Sequence, residues 1–102
     1  MILAMTRPLS TDLSRGDVRP YFLWDDDISV EEFRMGLRGE DRARADVYLA
    51  RLLREAKYED VWRFTTPQEI ANRLPIVAPR LGRSRGLWEF LIGVWRERGL
   101  VA

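Results

Sequence analysis

The sequence predicts an all-α fold: a single-domain bundle of four to five short helices preceded by an extended aromatic N-terminal arm. Three observations predict it. Apolar residues recur at helical spacing in separate stretches, with no strand-like alternation and no internal repeat between them. Two capping boxes, "SVEE" from Ser29 and "TPQE" from Thr66, each open such a stretch. A chain of 102 residues, 46% hydrophobic and 32% charged, has the size and make-up of one globular domain that buries a core without staples.

The elements follow in order. Residues 1–19, "MILAMTRPLSTDLSRGDVR", keep no period and hold the turn formers Pro8, Ser10, Ser14 and Gly16. They read as a loose or extended arm, with the helical domain over 20–102. Behind Ser29, the residues Val30, Phe33 and Leu37 mark one face of a first helix, and Gly39 suits a left-handed C-terminal cap. The second helix is expected over Asp41–Lys57, with Ala45, Tyr48, Leu49, Leu52, Leu53 and Ala56 on one stripe. Its other face offers Glu40 with Arg44, Arg42 with Asp46 and Arg51 with Glu55, each pair contributing about 0.2–0.5 kcal/mol. "KYEDVWRF" reads as a short helix presenting Tyr58, Val61, Trp62 and Phe64. Thr66 caps the next, Pro67 takes its first position, and Ile70, Ala71 and Leu74 form its apolar side. Pro75 and Pro79 should stop that helix, leaving "LPIVAPRLGR" as a bend with a single helical turn. The last helix is expected over Arg85–Arg98, capped by Ser84 and stopped by Gly99. Its apolar residues, Trp88, Phe90 and Trp95 among them, cover an arc of about 200°, where docking on one neighbour needs nearer 100°. This helix packs against several others or keeps part of that face for another chain.

Composition excludes much chemistry. With no His and no Cys, the usual zinc sites, Ser-His-Asp triads, thiol nucleophiles and imidazole bases are ruled out. The seven glycines form no phosphate-cradling run. No catalytic residues, cofactor or metal are therefore assigned, and the chain is read as a non-enzyme. The absence of cysteine fits a cytoplasmic protein; "MILAM" is too short for a signal-peptide core and no apolar run approaches a membrane span. Net charge is only +1, so nothing pulls the whole chain toward nucleic acid or membrane.

Two features remain. The first is "RPYFLWDDDIS", Arg19 to Ser29. Tyr21, Phe22, Leu23 and Trp24 stand outside a regular element and will not stay in water: they fold back as a lid on the bundle, or they bind another chain. With Trp88 and Trp95 they form the expected partner-binding set. Asp25, Asp26 and Asp27 favour the positive end of the first helix, while three adjacent aspartates converge too poorly for a metal. The second feature is charge segregation. From Arg73 onward six arginines face two glutamates, leaving +4, while the rest of the chain is −3. Arg80, Arg83 and Arg85 are the expected contacts to phosphate or to an acidic partner. The stretch "TPQEIANRLPIVAPRLGRSRGLWEF" loosely follows a helix-turn-helix, so a DNA-binding regulator is the alternative reading.

The strings "RPYFLWDDDIS", "LLREAKYEDVWRFTTPQEI" and "PRLGRSRGLWEFLIGVWRERGL" resemble a family of small helical bacterial proteins over about Arg19 to Leu100. Members of that family are often encoded beside AbiEii/AbiGii-type nucleotidyltransferase toxins. The resemblance implies a toxin–antitoxin or phage-defence role, with this chain as the antitoxin-like partner. It brings no catalytic residues. The expected function is accordingly a non-catalytic protein-binding module; its partner is a protein, the toxin first, with a homo-oligomer also open.

Overall fold

The computed structural model describes residues 7–102. Five α-helices follow a short bridge: β1 (Leu9–Ser10), β2 (Arg19–Pro20), α1 (Val30–Arg38), α2 (Arg42–Glu55), α3 (Tyr58–Val61), α4 (Pro67–Val77) and α5 (Arg85–Glu97), with 3₁₀ turns over Ala78–Arg80 and Gly82–Ser84. The mainly helical architecture agrees with the sequence. The small parallel bridge, Leu9 opposite Arg19 and Ser10 opposite Pro20, is an addition that no alternation announced.

One hydrophobic core holds the molecule. Phe33 of α1, Leu52 of α2, Val61 of α3, Ile70 of α4 and Trp88 of α5 are all part of it. The segment before α1 contributes as well. Leu13, Phe22 and Leu23 are buried in the same cluster, and Val18, Tyr21 and Ile28 pack on it. The first six residues of the expected arm lie outside the described part. From Arg7 to Ser29 the chain is non-helical, as expected of the arm, yet it packs on the bundle, because burying side chains such as Phe22 and Leu23 contributes about 1.5–3 kcal/mol each.

Local chemistry explains the helix starts. The Ser29 hydroxyl accepts from Glu32 N–H while the Glu32 carboxylate accepts from Ser29 N–H, which completes the first box. Asp41 caps α2 and Thr66 caps α4 with Pro67 behind it. The ends depart from expectation. Gly39 is extended (φ −72°, ψ 169°), not left-handed, because the chain must swing at once toward Asp41, the next cap. The second helix stops at Glu55 instead of Lys57, since Ala56 is already extended. Pro75 does not end α4 but lies within it. A mid-helix proline costs about 3 kcal/mol, and burial of Leu74 and Val77 on either side supplies about 3–6 kcal/mol against that. Ser84 is not a cap either: it is already helical, and its hydroxyl donates to the Leu81 carbonyl, because the chain enters α5 through 3₁₀ turns. Gly99 does adopt the left-handed conformation expected of a stop, with φ at 72°.

The charged face of α2 is likewise not a ladder of neighbours four apart. Asp46 turns inward to Arg73 of α4, Arg51 reaches back to Asp25, and Arg44 lies nearest Asp41. For Asp46 and Arg51, tertiary partners on other elements outcompete the i,i+4 pairs, which are weak in any case, and Arg44 is drawn to the capping Asp41.

Candidate functional site

The arm is pinned by two arginines. Arg19 is buried, and its guanidinium donates to the carbonyls of Arg7 (2.8 Å), Trp24 (3.1 Å) and Asp26 (3.1 Å). Arg51 of α2 donates to the Phe22 carbonyl at 2.9 Å and closes an ion pair with Asp25. That bond holds the Asp25 carboxyl below its usual range. Tyr21 is tied on the other side. Its hydroxyl donates to Asp60 at 2.6 Å and accepts from Lys57 N–H at 2.7 Å, at the start of α3.

These ties divide the expected aromatic set. Phe22 and Leu23 are buried, with Phe22 meeting Phe33 and Phe64 edge-on at 5.1 and 5.7 Å. Tyr21 is half-buried. Trp24 alone of the four faces outward, 59% exposed, with the Arg51 guanidinium 5.2 Å from its ring centre. A shallow hollow lined by Leu23, Asp25, Val47 and Arg51 adjoins it, and Val47 is itself exposed.

The C-terminal residues divide too. Trp88 is buried, donates its indole N–H to the Leu53 carbonyl at 2.9 Å, stacks on Tyr58 and meets Trp62 edge-on. It docks α5 on the bundle and cannot touch a partner while the fold is closed. Trp95 is half-buried against Trp62 at 5.8 Å. The exposed apolar residues of α5 are instead Leu87 and Phe90, the latter 66% exposed. Both were part of the wide apolar arc, but nothing in the sequence separated them from its inward half.

Arg80, Arg83 and Arg85 are all exposed. Arg85 is engaged by Glu89 at 3.0 Å, whereas among the described residues no ion pair involves Arg80 or Arg83. A major-groove reader would need hydrogen-bonding side chains along the outward face of α5, and that face carries Leu87 and Phe90. The three aspartates do not converge: Asp25 goes to Arg51 and Asp27 to Arg7, and among the described residues no group of three or more acidic side chains is placed to hold a metal. No described helix is long and apolar enough to cross a membrane.

Sequence reasoning missed Arg19 and Arg51 as the residues that present Trp24. Both act on backbone carbonyls, which leave no trace in residue identity. No family model, curated protein or solved structure matches the chain.

Proposed function

We propose that this chain is a non-catalytic protein-binding module, an antitoxin-like partner of a nucleotidyltransferase toxin, and that Trp24 is the centre of its contact. The supporting observation is the pairing of a 59% exposed indole with a backbone whose carbonyls are hydrogen-bonded by Arg19 and Arg51. Arg19 and Arg51 hold the carbonyls on both sides of it and Arg51 covers one face of the ring. An exposed tryptophan normally costs ordering entropy when it docks. Here the backbone part of that cost is met in the free protein by these hydrogen bonds, which favours Trp24 as a binding hot spot. The nature of the partner comes from the resemblance of the sequence strings, and a toxin–antitoxin or phage-defence role rests on that resemblance alone.

The test is co-purification with a nucleotidyltransferase toxin of the AbiEii/AbiGii type, followed by titration of the Trp24→Ala variant. The variant should stay folded and lose about 2 kcal/mol of binding or more, roughly thirtyfold in Kd. Two proteins that migrate separately at micromolar concentration would end the toxin reading. Undiminished binding by Trp24→Ala would end the assignment of the contact.

A further inference from the structure

Among the described residues the outward face of α5 is left uncovered. Phe90 is 66% and Leu87 51% exposed, and Val94 beside them is half-buried. Burying the exposed part of Phe90 alone would remove about 100–165 Å² from water. Charges close this patch at both ends. Arg83 precedes α5 in the 3₁₀ turn that runs into it, with Ser84 keeping helical backbone angles, and Glu97 is its last residue. Both are exposed, and among the described residues neither has an ion-pair partner.

We propose that this face binds a second copy of the same face, as an antiparallel helix pair with Phe90 on the two-fold axis. The spacing makes the surface its own complement. Gly86, Phe90, Gly93 and Glu97 follow one another at four, three and four residues within α5, the seam of a two-helix contact, and Arg83 stands three residues before Gly86 in the turn that leads into the helix. About Phe90 the two charges are symmetric, seven residues away on either side and opposite in sign, whereas the glycines stand four before and three after. An antiparallel pair therefore sets Arg83 against Glu97 of the second copy, twice per dimer. It also sets Leu87 against Gly93 and Val94 against Gly86 of the second copy, large opposite small. A parallel pair would set Arg83 against Arg83, so charge selects the direction. The glycines agree with this reading. Among the described residues a Cβ at Gly86 or Gly93 would meet nothing within 4 Å, so packing against them does not require either glycine. One helix pair buries less than a standard interface of about 800 Å² per partner, which makes this a weak, concentration-dependent dimer. The inference uses α5 and is independent of Trp24.

The test is sedimentation equilibrium on the whole chain from about 10 μM to about 1 mM, the range of a small interface. The apparent mass should rise from 12.0 kDa toward twice that value. Phe90→Arg should stay at the monomer mass while keeping the same helical circular dichroism and melting profile. Arg83→Glu should weaken association about tenfold, and adding Glu97→Arg should restore it by exchanging the charges. A monomer throughout the range would overturn the proposal, as would a dimer indifferent to Phe90→Arg. Failure of the double exchange to restore association would overturn the antiparallel register.

Discussion

Replacing Gly36 by alanine should destabilise this protein, although alanine is the better helix former. Gly36 lies in α1, where the Tyr48 ring of α2 occupies the place of its absent side chain. A Cβ built there would overlap that ring, with Cδ2 only 2.6 Å away. The ring is not a loose end that can swing aside. It is half-buried and stacked on Phe33, with ring centres 5.0 Å apart and 24° between planes. Helix propensity favours the substitution by about 1 kcal/mol. Overpacking opposes it by about 1–3 kcal/mol, part of that being the lost ring stacking. Gly86→Ala is the control, because its Cβ meets nothing and only the propensity gain remains. The two variants should therefore differ by about 1–3 kcal/mol, which at about 4–8 °C per kcal/mol is a Tm gap of roughly 10 °C. Thermal melts followed by circular dichroism measure it. In a Tyr48→Ala background the obstacle is gone, and Gly36→Ala should then raise Tm like the control. Equal gains from Gly36→Ala and Gly86→Ala in the parent would refute the close packing of α1 on α2.

Two further outcomes follow from buried polar contacts. Burial and the bond to Asp60 push the Tyr21 hydroxyl up to about 12, so its neutral form is the one the fold prefers. The stability it contributes is complete below the ordinary tyrosine pKa of about 10 and is lost as pH rises through about 12. Absorbance titration should show a late ionisation step from Tyr21, and Tyr21→Phe should remove that step and cost about 1–2 kcal/mol. Asp46→Asn should lower Tm far more than Glu89→Gln, because Asp46 is 9% exposed and holds Arg73 by two bonds of 3.0 and 2.7 Å, whereas Glu89 answers Arg85 in the open. Equal effects in a melt would show that Asp46 is no more than another surface charge.

Much of the helical layout was legible before any coordinates. Ser29 and Thr66 bond backbone groups three residues away, so the side chains that make a helix begin sit beside it in the chain. Stops were less legible. Pro75 looked final only because its local cost is visible in the sequence, while the burial of Leu74 and Val77 that offsets it is not. Gly39 and Ser84 fail as caps for the same reason: where the next element starts decides their backbone angles. At the candidate site, residue type pointed to "YFLW" as a surplus of rings, but three of the four are packed or tied and Trp24 is left outside.

Composition and periodicity were enough to settle the mainly helical class, the starts of α1, α2 and α4, and the lack of imidazole and thiol chemistry. These depend on what each residue is and on neighbours within one or two turns. Which aromatic faces water, which aspartate meets which arginine, and which half of the α5 arc stays bare depend on groups twenty or more residues apart. Arg51 with Asp25 and Arg73 with Asp46 are separated by 26 and 27 positions. Such contacts form only once the chain has folded back on itself, because ion pairing and burial act through space.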